Sequence, residues 1–325
     1  MNTDLWNGRK VLITGSNGYL GVELCSTLSM AGSNVVAVDV SKEIHSLLKE
    51  SKNIQYNCLD LANTEGVKEI LEKHRFETCF HLAANSDVSE MNRRPDIAFR
   101  ANVEAAWNLF EIFRNYLNSC HIIFTSSNHV YGKQPLYPTS ENSFFHSENI
   151  YGVTKGAADL IALGYARIYE MPITVARITN TFGGKFFNLK HLIPQTIKTL
   201  SGGEIPVIKG DGQSRKGFLY IEDTLNAIML LAEKMQDKNI WGEAFNFFPD
   251  KNTSVLEIVQ SIISVLGKVS VKPVIQEKKR PQNKVDIEYL CNRKSKEILG
   301  WEIKNSFPEG IKKALDDYEY MKLKQ

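Results

Sequence analysis

Lys10-Val11-Leu12-Ile13-Thr14-Gly15-Ser16-Asn17-Gly18-Tyr19-Leu20-Gly21 reads as a short strand, a glycine turn and the opening of a helix. Val11 to Ile13 form an apolar run of strand type, and Leu20, Leu24 and Leu28 recur at helical spacing directly after the turn. Glycine at such a turn permits positive φ and lets backbone N–H groups approach an anion, and the helix N-terminus adds a partial positive charge. The spacing is Gly-x-x-Gly-x-x-Gly, not the commoner Gly-x-Gly-x-x-Gly of dinucleotide sites. Two readings follow: a turn that needs glycine for its own conformation, or a cradle for a pyrophosphate made of Gly15, Gly18 and Gly21 with Asn17 and Tyr19 between them.

A second apolar strand, Asn34-Val35-Val36-Ala37-Val38-Asp39, favours the cradle. It ends in a carboxylate a little under 20 residues past Gly21, where an acid accepts the hydroxyls of an adenosine ribose and repels a 2′-phosphate. That selects NAD over NADP; Asp39 can also cap the helix expected from about Ser41. Strand-like runs continue at 54–58, 78–82, 121–126 and 173–177, separated by amphipathic helical segments. Such alternation predicts parallel strands joined by right-handed crossovers. The fold class is therefore α/β, a doubly wound parallel sheet of Rossmann type, with ligands beyond the carboxyl ends of its strands. Past Arg177 the alternation gives way to glycine-rich loops and to helices at 221–235, 255–266 and 308–321. We expect residues 1–177 to form the dinucleotide domain and 178–325 a smaller mixed α/β substrate lobe, some of whose segments return to the large domain.

A chain of 325 residues with 43% hydrophobic content can bury a sizeable core. Its net charge of +2 comes without a block of like charge, which argues against a nucleic-acid or membrane-surface tail. No segment has the length and apolarity of a membrane span or signal peptide. The five cysteines show no CxxC or Cys/His clustering, so no metal site is expected and they read as buried thiols of a reduced, cytoplasmic protein.

Tyr151 and Lys155 stand four apart at the start of a predicted helix and share a face. An ammonium near a phenol favours phenolate; bringing a tyrosine from a pKa of about 10 to near 7 needs roughly 4 kcal/mol, which a close lysine plus the positive nicotinamide ring can supply in a water-poor site. Tyr151 would then be the base that takes a hydroxyl proton while hydride leaves the same carbon. Ser127, at the end of the strand beginning at His121, can hold and orient the same oxygen. The Tyr-x-x-x-Lys spacing recurs at Tyr318/Lys322 and Tyr320/Lys324, but in a charged C-terminal helix with no strand-end serine.

Thr14-Gly15-x-x-Gly18-x-x-Gly21, His81-Leu82-Ala83-Ala84, Asn102, the Ser126–Gly132 segment, Tyr151/Lys155 and Arg177-x-x-Asn180-x-x-Gly183 together resemble the extended short-chain dehydrogenase/reductases that act on nucleotide sugars. The resemblance spans nearly the whole chain, through Gly210-Asp211-Gly212 and Tyr220-Ile221-Glu222-Asp223 to Leu299-Gly300-Trp301, and is nearest the CDP-glucose 4,6-dehydratase branch. It implies Asp60 and Leu61 near an adenine, Leu82, Ala83 and Ala84 along the phosphates and ribose, Asn102 beside the cofactor, and Lys155 on the nicotinamide ribose. It also implies Ser127, Asn128, Asn180, Asn188, Arg215 or Lys216, and Arg280 on a nucleotide-diphosphate sugar. Family enzymes oxidise C4 of the hexose with NAD, and they pair as homodimers through helices here expected at 95–118 and 151–170.

Two departures bear on the reaction. Usual 4,6-dehydratases carry an acid after the catalytic hydroxyl residue; here Asn128 and His129 stand there, and an amide cannot donate a proton as a carboxylic acid does. His129 can act as an acid or base near neutral pH. Lys216 takes the place of an arginine and Gly217 that of an aspartate, with Arg215 alongside; lysine lacks arginine's bidentate fork. A 4-epimerase, which needs no added acid, is the leading reading. A 4,6-dehydratase using His129 and a net 4-dehydrogenase are the alternatives, and a non-catalytic dinucleotide sensor is opposed by the complete Ser/Tyr/Lys set.

Overall fold

A computed structural model describes residues 3–116, 119–185, 188–276 and 286–323. Arg280 lies outside the described residues, as do the last two positions of the helix expected at 95–118. Six strands form where the apolar runs predict them: β1 (Lys10–Thr14), β2 (Asn34–Asp39), β3 (Ile54–Cys58), β4 (Thr78–His81), β5 (His121–Ser127) and β6 (Ile173–Ile178). They lie parallel in the order β6-β5-β4-β1-β2-β3, and the strand Ala244–Phe247 adds a seventh, parallel place beside β6. The strand order reverses between β1 and β4, so a crevice opens at their carboxyl ends.

Side chains alternate across each strand. Val11, Ile13 and Ile123 face a core shared with the helices Tyr19–Met30 and Ile221–Lys234; Leu12, Ile122 and Phe124 face another shared with Ala105–Tyr116 and Ile150–Tyr169. The first core continues without a break through Ile258 and Ile262 of the helix Val255–Val265 to Trp301 and Ile311. The C-terminal half thus contributes a sheet strand and a face-covering helix to the large sheet, and its remaining segments build short ladders over the crevice.

The cysteines correct one expectation. Cys25, Cys79 and Cys120 are buried, but Cys58 is exposed and Cys291 half-buried. Cys58 ends β3, the edge strand, which has a neighbour on one side only. The helix expected from Ser41 begins later, at Ser46, and has four residues.

Candidate active site

The crevice is a cavity of about 1820 Å³. At its floor, Gly15 has φ +70°, and a Cβ there would lie 2.6 Å from the Ala83 backbone nitrogen; one on Gly21 would meet the Gly15 carbonyl at 2.1 Å. Only glycine lets the β1 turn, the helix and the β4 loop close this tightly, so the cradle is a close-approach site as well as a turn. The Ser16 and Ser126 hydroxyls are buried without a protein partner, and Ser126 lines the cavity. Asp39 accepts the Asn17 backbone N–H at 3.0 Å and that of Ser41 at 3.0 Å, which fixes its carboxylate at the cavity edge. Asp60, Leu61, Leu82, Ala83 and Ala84 line the same side. A dinucleotide fits this set: glycine walls for a pyrophosphate, an acid for a ribose, apolar side chains for a base.

Asn102 stands beside the cavity, next to the lining residue Ala101, and Asn17 lies in the glycine turn between the lining residues Gly15 and Gly18. Neither lines the cavity. Asn17 ties the loop after β2, with its Nδ2 on the Glu43 carbonyl and its Oδ1 accepting the His45 N–H. Asn102 is buried, accepts the Asn85 N–H at 2.8 Å and donates to Thr154 Oγ1 at 2.9 Å, joining the β4 loop to the catalytic helix. Both side chains hold the segments that form the cavity walls.

Ser127, Tyr151 and Lys155 converge on the cavity. Ser127 ends β5; Tyr151 and Lys155 lie in the first turns of the helix Ile150–Tyr169, whose N-terminus is capped by Asn149 accepting from Gly152 N–H at 2.9 Å. Gly152 lets that turn press on the β5 loop, because a Cβ there would meet the His129 carbonyl at 2.4 Å. Ser127 accepts the His129 backbone N–H at 3.2 Å, with its hydroxyl towards the Tyr151 side of the cavity. Burial pushes the phenol above its usual pKa, and the Ser127 hydroxyl pulls against it. Burial also lowers Lys155 to about 7, with Asp159 opposing. Lys155 Nζ sits 4.4 Å from the Phe124 ring centroid. The phenolate expected from a close lysine together with the positive nicotinamide ring therefore depends more on the ring, because a desolvated lysine is only partly charged at neutral pH.

His129 lies edge-on to Tyr151, ring centroids 5.5 Å apart, with Nδ1 3.4 Å from Asn149 Nδ2. Burial holds it below the usual histidine range, so it is neutral at pH 7. Asn128 donates to Glu288 Oε2 at 2.9 Å. Asn180, Asn188 and Lys216 line the cavity as the resemblance implies, but Arg215 does not. Arg215 and Lys216 form a two-residue strand against Thr253–Ser254, and alternation sends their side chains to opposite sides. Arg215 therefore bonds Asn252 at 3.2 Å and lies 3.5 Å from Glu257, while Lys216 pairs with Glu288 at 2.7 Å. Gly217 has Phe248 within 2.3 Å of where a Cβ would be, which leaves no room there for the expected aspartate. Neither Tyr318 nor Tyr320 borders the cavity.

Glu288 is absent from the sequence reading. It stands 160 positions from Asn128 and 72 from Lys216, and the backbone pairing of Asp286 and Glu288 with Arg215 and of Tyr289 with Thr139 brings it in. Distance along the chain left no local signal.

Residues 12–314 match the family model of GDP-mannose 4,6 dehydratase. The chain belongs to that family. Members of the GDP-mannose 4,6 dehydratase family are NAD-dependent nucleotide-sugar epimerases and dehydratases of the short-chain dehydrogenase/reductase type. The chain is 27% identical to CDP-paratose 2-epimerase of Salmonella typhi over 94% of its length and 98% of that protein. It is 25% identical to a trifunctional UDP-glucose 4,6-dehydratase of Arabidopsis thaliana, covering 95% of this chain but spanning about half, 47%, of that protein. Among solved structures, UDP-glucose 4-epimerase from Thermotoga maritima superposes with a TM-score of 0.86 at 26% identity, over 96% of this chain and 99% of that one. Epimerases and dehydratases therefore share this family's fold and its catalytic frame.

Proposed function

We propose that the chain is an NAD-dependent 4-epimerase of a nucleotide-diphosphate sugar, working in the cytoplasm as a homodimer. The observation that carries this is the chemistry beside Ser127: an amide at Asn128, an imidazole at His129 that burial lowers, and behind them a carboxylate, Glu288, which burial pushes up but Lys216 and its hydrogen-bond donors hold below its usual value. At neutral pH none of these is a carboxylic acid poised to protonate a departing C6 hydroxyl. Epimerisation requires no such acid.

Bound NAD supplies the hydride acceptor at C4. Ser127 would hold the C4 oxygen, and Tyr151, as the phenolate that the Lys155 ammonium and the positive nicotinamide ring of bound NAD together would favour, would take its proton as the carbon is oxidised and give it back when the opposite face is reduced. The flanking Lys155 tunes the phenol by its charge, and closure of the cavity around the sugar excludes water. The homodimer is supported by an exposed apolar patch on the helices 95–116 and 150–169, including Trp107 at 48%, Ile168 at 72% and Tyr169 at 48% exposure. These are the two helices through which the family resemblance implies a dimer contact.

Incubating the purified protein and its co-purified cofactor with nucleotide hexoses should give a product of unchanged mass and inverted C4. A product lighter by one water restores the dehydratase and makes His129 the residue to mutate. Loss of two hydrogens with accumulating NADH indicates a net 4-dehydrogenase.

A further inference from the structure

Three polar side chains that line the reacting end of the cavity are all engaged from behind by one carboxylate. Asn128 Nδ2 and Asn180 Nδ2 each donate to Glu288 Oε2 at 2.9 Å, and Lys216 Nζ donates to Oε1 at 2.7 Å. Glu288 is buried and does not itself line the cavity. It is fixed on both sides, by its own N–H on the Arg215 carbonyl at 2.9 Å and by Tyr289 accepting the Thr139 N–H at 2.8 Å.

The geometry decides what the wall presents. An amide whose NH2 is bound to Glu288 turns its oxygen the other way; Asn128 Oδ1 accepts from Ser127 Oγ at 3.4 Å. The Lys216 ammonium faces a carboxylate at ion-pair distance, so its charge is balanced. The surface beside Ser127 therefore offers hydrogen-bond acceptors and little net positive charge. A sugar with its C4 oxygen on Ser127 and Tyr151 sets a neighbouring substituent, at C3 or C6, against this wall. A hydroxyl there donates to an amide oxygen, whereas a carboxylate has no proton to give and no uncompensated cation to meet.

We infer that Glu288 is a specificity-determining positioning residue, which makes the enzyme select nucleotide sugars with neutral, hydroxyl-bearing hexoses and reject the corresponding hexuronic acids. This rests on the nucleotide-sugar reading of the site and adds the class of sugar to it.

The test compares glucose and glucuronic acid linked to the same nucleotide, with UDP, CDP, dTDP and GDP each in turn, so that base preference cancels in the ratio. Binding to the holoenzyme is measured by calorimetry, and turnover products by mass. The wild type should bind the glucose form at least tenfold more tightly. Glu288→Gln, which leaves Lys216 uncompensated, should narrow that ratio about tenfold; Lys216→Met, which leaves the carboxylate uncompensated, should widen it. A merely structural role would weaken both sugars equally and leave the ratio unmoved. A wild type preferring the uronic acid, or a ratio unchanged in folded variants, overturns the inference; if Glu288→Gln fails to fold, Lys216→Met decides alone. A product lighter by one water with the ratio as expected overturns the epimerase reading and leaves this one standing, whereas binding of none of the eight overturns both.

Discussion

Tyr151 and Lys155 carry opposite consequences of one cause, burial. The phenol is raised and the ammonium lowered, so each is biased towards its neutral form. Replacing Tyr151 with Phe should cut kcat by about 10²- to 10⁴-fold while the substrate Kd moves little, because the base is lost and the cavity shape is kept. A Tyr151→Phe enzyme that turns over normally would point to another base. Lys155→Met should abolish most turnover yet stabilise the fold by about 2 kcal/mol near neutral pH, since a buried cation is removed. The sign follows from linkage: a lysine with a folded value near 7, against 10.5 unfolded, binds fewer protons when folded between those limits. Its destabilising effect is complete below about 7 and fades as pH rises towards 10.5. The Tm difference between wild type and Lys155→Met should therefore shrink from pH 7 to pH 10; a constant difference would refute the buried-charge account.

The helix Ile150–Tyr169 is what places those two side chains, and it is pinned by an ion pair. Asp159 and Arg177, both nearly fully buried, bond through two 2.9 Å contacts, and Arg177 also donates to the Tyr131 hydroxyl at 2.8 Å. Arg177→Met should cost about 3–5 kcal/mol in denaturant unfolding, because it strands the Asp159 carboxylate. Gly152→Ala, with His129 backbone in the way, should cost about 1–3 kcal/mol and lower kcat as Tyr151 shifts from Ser127. These elements were legible where the signal is local: the glycine spacing, the apolar strands, and Tyr151 one helical turn from Lys155. What stayed hidden depends on contacts between distant segments. Nothing near Arg215 and Lys216 in the chain says which of the two faces the cavity; a two-residue ladder with Thr253–Ser254 decides it. Asn102 and Asn17 carry family motifs, yet their side chains are consumed holding loops. The seventh strand, Ala244–Phe247, has only four residues, one of them Asn246, and does not announce a return to the sheet.

At the scale of the molecule, one sheet brings every motif to the same edge: the β1 turn, Asp39 after β2, Asp60 after β3, Leu82 after β4 and Ser127 at the end of β5. The C-terminal half then roofs that edge with the segments bearing Asn188, Lys216 and Glu288, so selectivity can change without disturbing the oxidising frame. The two helices on one flank of the sheet leave Trp107, Ile168 and Tyr169 exposed, and Ile168→Glu should convert the proposed dimer to a folded monomer by light scattering. An unchanged mass would remove that patch as the subunit contact. The most direct test of the whole account is the fate of the sugar. Holoenzyme given its nucleotide hexose in deuterated water should yield, by NMR and mass, a C4 epimer of the same mass with no deuterium on carbon, because the hydride that leaves C4 returns to it. A 4-keto product lacking one water, or one labelled with deuterium on carbon, would contradict it.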